Sequence, residues 1–228
     1  MRVLAIDIGG TNVKILVTGQ TKKRAAPSGP TFTPARMVKA VKALAEGWRY
    51  DVVSMGYPGP VVDHRPQREP HNLGRGWVRF DYRRAFGKPV RILNDAAMQA
   101  LGSYQGGRML FLGLGTGLGS ALVIDGHVVP LELAHLPFKN KKTFEDYVGE
   151  RALLRLGKKK WRHEVHAVTE QLRAAMQAEY VVIGGGNAKK LDRVPKGVEL
   201  GDNANAFVGG FRMWEKTYAH QTVARRRS

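Results

Sequence analysis

No cysteine occurs among the 228 residues. That absence excludes a disulfide framework, a zinc–thiolate site and a cysteine nucleophile. Long apolar runs are missing too, so no segment reaches membrane-spanning length. Met1-Arg2 leads straight into an apolar strand rather than a signal peptide, and a cytoplasmic protein without a membrane partner is expected. Acidic residues are scarce: 19 Asp and Glu stand against 37 Lys and Arg, a formal net charge of +18 with a pI near 10.4. Such a field attracts polyanions, although many basic proteins are simply well solvated, so charge alone does not name a partner. The rest is ordinary for a globular chain, with 43% apolar and 25% charged residues. The length suffices for one large or two small domains.

The opening stretch, residues 3–17, organises the chain. An apolar, β-branched run carries Asp7 at its end, turns through Gly9-Gly10-Thr11 and returns as a second strand from Asn12 to Thr18. Gly9 and Gly10 allow a tight turn whose N–H groups can approach an anion. Asp7 beside that turn suits a hydrated Mg²⁺ held against phosphate, since Mg²⁺ takes few carboxylates and keeps its waters. An ordinary hairpin is the alternative reading.

Further along, Gly19 to Pro34 reads as a loop, and Thr33 caps a helix with Pro34 in its first turn. Val52 to Tyr57 is a strand. Val61 to Lys88 reads as a long ordered loop with His71, Asn72 and Trp77 facing a substrate. A strand from Val90 leads into Asn94-Asp95 and a helix. Residues 109–126 then repeat the opening pattern of strand, glycine turn (Gly115-Thr116-Gly117) and strand. An offset of 107 residues places Leu110 on Val3 and Gly126 on Gly19. Thr143 and Asp146 give a capping-box-like start to a helix reaching about Leu156, Lys158-Lys159-Lys160 interrupts it, and another helix follows. Tyr180 to Ile183 is a strand opening into Gly184-Gly185-Gly186-Asn187. A last helix from about Asn203 aligns Phe207, Phe211, Trp214 and Tyr218, and Arg225-Arg226-Arg227 ends the chain. Trp161 and Trp214 read as core anchors.

Three glycine turns after apolar strands suit phosphate binding, because ligands collect beyond the carboxyl ends of strands in α/β sheets. None fits a P-loop or a Rossmann fingerprint. The stretches Asp7-Ile8-Gly9-Gly10-Thr11, Gly56-Tyr57-Pro58-Gly59, Asn94-Asp95-Ala96, Gly115-Thr116-Gly117-Leu118-Gly119 and Gly184-Gly185-Gly186-Asn187, in this order, resemble the ROK family of sugar kinases, and within it the polyphosphate glucokinase branch. The resemblance covers nearly the whole chain.

The resemblance implies an α/β, two-lobed, actin/hexokinase-like (ribonuclease H-like) duplicated fold with a cleft between lobes. The expected division is residues 1–93, joined by a C-terminal helix over 207–228, and residues 94–206. It implies phosphoryl transfer from inorganic polyphosphate or ATP to the 6-hydroxyl of glucose, with Mg²⁺ near Asp7 and Asp95 as general base. A helix N-cap is the other reading of Asp95. Asn72, Asn94, Glu132 and His135 would contact the sugar, although Ala134 stands where the family has glycine before the histidine. Gly9, Gly10, Thr11, Lys14, Gly115, Thr116, Gly117, Gly185, Gly186 and Asn187 would face phosphate. The family's cysteine-rich zinc motif is missing, so no structural zinc is expected. Lys141-Lys142, Lys158 to Arg162 and Lys189-Lys190 could line a polyphosphate path. A homodimer is compatible with the resemblance. Two rivals stand beside this reading: an ATP-dependent kinase of another hexose or amino sugar, and a non-catalytic polyanion-binding relative. Nucleic acid is not the expected partner, because the hairpin starts at Val3 and leaves no room for an N-terminal helix-turn-helix.

Overall fold

A computed structural model describes residues 1–215. The chain forms two compact units. The first comprises Met1–Met98 with the segment that begins at Ala206, and the second Gln99–Asn205.

In the first unit, β1 (Val3–Ile8), β2 (Asn12–Val17), β3 (Arg24–Pro27), β4 (Val52–Tyr57) and β7 (Val90–Asn94) make one sheet in the order β3-β2-β1-β4-β7. The first three strands form an antiparallel meander; β1, β4 and β7 run parallel. Helix α1 (Pro34–Leu44) starts where expected, with the Thr33 hydroxyl accepting the Arg36 N–H. Its apolar face, Met37, Val38 and Val41, joins Leu4, Ile6 and Ile8 in the core. Period-two alternation then sends Ala5 and Asp7 to the opposite face of the sheet. There helix α6 (Asn205–Arg212) approaches so closely that a Cβ on Gly210 would stand 2.7 Å from the Ala5 Cβ.

The segment over 61–88 is more structured than a loop. It contains the small hairpin β5 (Val61–Val62) and β6 (Arg65–Pro66) and the short helix α2 (Tyr82–Phe86). Trp77 faces the core rather than a ligand: it is fully buried, its ring lies 5.9 Å from Tyr57, and its indole N–H donates to the Gly74 carbonyl. Glu69 accepts the N–H groups of Gly76 and Trp77, which fixes the backbone there.

Helix α3 (Asp95–Ser103) carries the chain from the first unit into the second. The second sheet holds β8 (Arg108–Leu114), β9 (Leu118–Ile124), β10 (His127–Leu131), β11 (Tyr180–Gly184) and β12 (Val198–Leu200), in the order β10-β9-β8-β11-β12. Topology and strand directions match the first sheet, so the fold is duplicated α/β. The offset is corrected by pairing. Ile8 opposes Val13 and Leu114 opposes Leu118, so the second turn is one residue shorter and the shift is 106 on the first strand and 105 on the second.

Beyond β10 come α4 (Glu145–Val148) and α5 (Glu150–Ala175). The expected single helix to Leu156 divides at Gly149. The three lysines do not interrupt α5; the break is Gly157, in the left-handed region at φ 72°, and Lys158 to Lys160 continue as helix. Trp161 is a core anchor, fully buried with its N–H donated to the Val148 carbonyl, beside Val165, Val168 and Leu172. Trp214 donates to the Ser54 hydroxyl and stacks under the Arg91 guanidinium. Tyr218 and Arg225-Arg226-Arg227 lie outside the described residues. Among those described, no helix is long and apolar enough to cross a membrane.

Candidate active site

The parallel strands β1, β4 and β7 end side by side. Asp7 pairs in register with Gly56, and Tyr57 with Asn94. Neighbouring strands lie about 4.8 Å apart, so Asp7 stands one strand from Gly56. A Cβ on Gly56 would lie 3.6 Å from the Asp95 Cα and 2.5 Å from the Met98 Cε. The start of α3 therefore lies over the same sheet face as Asp7, within contact distance of Gly56. Asp7 and Asp95 are both half-buried or better, and Asp7 is 9% exposed.

The start of α3 shows which residue caps the helix. Asn94 is the cap, since its side-chain oxygen accepts the Ala97 N–H at 3.1 Å while its amide donates to the Gly59 carbonyl at 3.2 Å. Asp95 is the first helical residue, with Oδ1 accepting the Ala96 N–H at 2.8 Å. Asn94 thus frames the turn, a structural role that stands beside its expected sugar contact. Asn72 is exposed and lies directly over the glycine turn: a Cβ on Gly10 would meet the Asn72 Cβ at 3.2 Å.

Gly9 and Gly10 do not adopt positive φ. Their value is close approach: the Gly9 N–H donates to the Asn12 carbonyl, and a Cβ on Gly9 would stand 3.0 Å from that oxygen. Sequence reading missed Ser28, whose hydroxyl donates to the Gly9 carbonyl and whose N–H donates to Thr11. Lys14 lies opposite Asp7 and pairs with its Oδ2 at 3.3 Å.

The other expected residues belong to the second unit. Gly185, at φ +86°, would drive a Cβ to 2.4 Å from the Leu114 oxygen, so only glycine fits this approach to β8. Asn187 is buried; its N–H donates to the Leu114 carbonyl and its amide to Gly115 at 3.0 Å. It braces the Gly115-Thr116-Gly117 turn from behind. Among the described residues, the Thr116 and Gly117 N–H groups make no hydrogen bond, which leaves two backbone donors at the turn. Glu132 and His135 are exposed. Ala134 between them is buried at ordinary φ, with its carbonyl accepting the Glu145 N–H, so the loop needs no glycine at that position. Glu145 itself was not legible in the sequence, because its partner on the glycine turn, Leu118, is 27 residues away.

Arg162 reaches the Lys190 carbonyl at 2.7 Å and Asp192 at 2.5 Å, which lays Lys189 and Lys190 against the second half of α5 just after Asn187. Elsewhere, burial pushes the Tyr57 and Tyr82 hydroxyls above the ordinary tyrosine range and holds the His64 imidazole below its usual value. Hydrogen bonds from Thr143 hold Asp146 below the usual carboxylate value.

No group of three or more His, Asp or Glu among the described residues is arranged to hold a metal by protein ligands alone. The donor set fits Mg²⁺ in the other mode, in which substrate phosphate and water supply most ligands and one carboxylate suffices. Asp7 is the carboxylate that stands beside the first glycine turn.

The sequence profile of the ROK family matches residues 3–130. A polyphosphate glucokinase of Mycobacterium tuberculosis is 30% identical over 220 residues, covering 82% of this chain and 78% of that one. An N-acetylmannosamine kinase of Salmonella newport is 30% identical over 145 residues, covering 57% and 50%. Among solved structures, the inorganic polyphosphate/ATP-glucomannokinase of Arthrobacter sp. strain KM superposes with a TM-score of 0.77 at 22% identity, covering 98% and 99%.

Proposed function

The chain belongs to the ROK family, and from that membership we propose that it is a sugar kinase moving the terminal phosphoryl group of inorganic polyphosphate, or of ATP, to the 6-hydroxyl of glucose. One observation carries the reading. Asp95 stands at the carboxyl ends of the parallel strands, on the sheet face that holds Asp7, while Asn94 performs the capping that would otherwise explain it.

In this reading the Asp95 carboxylate takes the proton of the sugar 6-hydroxyl as that oxygen attacks phosphorus. The bond from phosphorus to the leaving phosphate oxygen breaks, and the shortened donor keeps the electron pair. Such transfers need mainly positioning and charge neutralisation. Asn72 and Asn94 would orient the sugar, with Glu132 and His135 of the second unit as further contacts. Gly9 to Thr11, Gly115 to Gly117 and the segment at Gly185 would present N–H groups to phosphate. Bound with its donor, Mg²⁺ would neutralise charge on the phosphate oxygens, with Asp7 holding its water shell.

Two observations favour polyphosphate as donor: the curated relative's own activity, and a net charge of +18 with Lys189 and Lys190 held beside the Asn187 brace. The test is phosphorylation of glucose with Mg²⁺, comparing polyphosphate and ATP at equal phosphoryl concentration. Turnover with polyphosphate is expected. Turnover with ATP alone would keep the kinase and remove the role of the lysines. Turnover of N-acetylmannosamine but not glucose would move the chain to the amino-sugar reading that the Salmonella relative represents. No turnover on any of these would overturn the proposal.

A further inference from the structure

Two segments of the second unit carry its expected substrate contacts, the glycine turn over 115–117 and the loop over 132–135. One residue is bonded to both. The Glu145 N–H donates to the Ala134 carbonyl at 3.0 Å, and its Oε2 accepts the Leu118 N–H at 3.1 Å. The side chain is half-buried and fitted to the turn: a Cβ on Gly117 would stand 2.1 Å from that same Oε2. The Glu145 carbonyl accepts the Gly149 N–H, and the next residue, Glu150, donates to the Gly115 and Thr116 carbonyls at 3.1 and 3.2 Å. Helix α4 is therefore fastened to the turn at both ends. On its other side the loop is tied to β9, because the Ser120 hydroxyl donates to Leu131 and accepts from Leu133.

A carboxylate beside an expected phosphate turn opposes anion binding by its charge, so its presence calls for a compensating gain. Accepting a backbone N–H at the turn while its own N–H holds the loop is such a gain. We infer that Glu145 is a positioning residue that locks the glycine turn and the Glu132–His135 segment into one body, its carboxylate on the turn side and its backbone N–H on the loop, so that a phosphate held by the first and a sugar held by the second are fixed through one residue. The ligands in this statement rest on the function proposed above; the latch itself does not.

The first test is backbone amide hydrogen exchange in the full chain, comparing the parent with Glu145→Ala, Glu145→Gln and Gly117→Ala. Losing one hydrogen bond of ordinary net strength corresponds to about tenfold faster local opening. Glu145→Ala should give that acceleration at 115–118 and, through the loosened start of α4 whose N–H holds Ala134, a smaller one at 132–136. Glu145→Gln keeps an oxygen for the Leu118 N–H and should stay close to the parent. Gly117→Ala, which displaces the carboxylate without removing it, should behave like Glu145→Ala and serves if that variant fails to fold. Acceleration confined to the turn, no acceleration, or a glutamine variant as loose as the alanine variant would each overturn the latch. The second test is kinetic: Glu145→Ala should raise KM for donor and for sugar together, and a rise in only one overturns the coupling. A parent chain that phosphorylates nothing would defeat the function proposed above, and the exchange comparison would still decide the latch.

Discussion

The same sheet is built twice, and the two copies differ on the face that carries Asp7. Pairing aligns Ala5, Asp7 and Gly56 of the first sheet with Phe111, Gly113 and Gly184 of the second. In the first copy, small Ala5 leaves room for Gly210 of α6, and Asp7 projects from the same face beside Gly56. In the second copy, Phe111 fills that face. A Cβ on Gly184 or Gly113 would stand 2.6 or 3.3 Å from its ring atoms. The pair Asp7–Lys14 is matched by Gly113–Gly119, which carries no charge. The duplicated frame thus fixes where strands end and turns point, while the choice of side chain on one face decides which copy holds acids and which offers only backbone. The second copy then takes its carboxylate, Glu145, from a helix outside the hairpin.

The largest expected effect concerns the acidic copy. Asp95→Asn should lower kcat for sugar phosphorylation by about 10²–10⁴-fold and leave the melting temperature near that of the parent. Unchanged turnover would mean that the acids are not what separates the copies in function. Next come the two buried tryptophans, one per unit. Trp77→Ala and Trp161→Ala should each cost about 3–5 kcal/mol, measured by denaturant unfolding. If the units unfold separately, each variant shifts a different transition; a single shared transition moved equally by both would join the copies into one cooperative body.

A smaller effect is expected behind the second turn. Asn187→Ala removes the amide that holds the Gly115 carbonyl in a buried setting and should cost about 1–3 kcal/mol. It should raise KM for the donor more than for the sugar. Equal rises would mean that the turn does not serve the donor.

The smallest effect belongs to the first unit alone. Burial holds His64 below its ordinary value of 6.5. The unfolded chain therefore binds the proton more readily, and the contribution of His64 to stability is present above pH 6.5 and lost as pH falls below it. Replacing His64 with Gln should flatten that part of the stability–pH curve. A slope unchanged in the variant would assign it to other groups.

Legibility followed the same contrast. The hairpins of both copies were readable because apolar runs flank glycine turns, and α1 because Thr33-Pro34 is a local signal. Strands β3 and β10 were not. They are short edge strands, half-exposed and interrupted by Pro27 and Pro130. The break at Gly157 was shifted onto the lysines because charge is conspicuous in a sequence and a left-handed φ is not. At the site, Asn94-Asp95 could be seen but not divided into cap and acid, since that depends on which oxygen meets the Ala97 N–H. Ser28 and Glu145 could not be seen at all, because their partners lie 19 and 27 residues away.

Gly56 is a gauge one methyl wide. A single carbon added there would stand 3.6 Å from the Asp95 Cα, an ordinary contact, and 2.5 Å from the Met98 Cε, the far end of a flexible side chain that has to move aside. A residue with no reacting group of its own thus lies under the acid that the proposed function assigns to α3. Under the function proposed above, alanine at 56 would act on activity only through Met98 and the start of α3, with Asp7, Asn72, Asn94 and Asp95 unchanged.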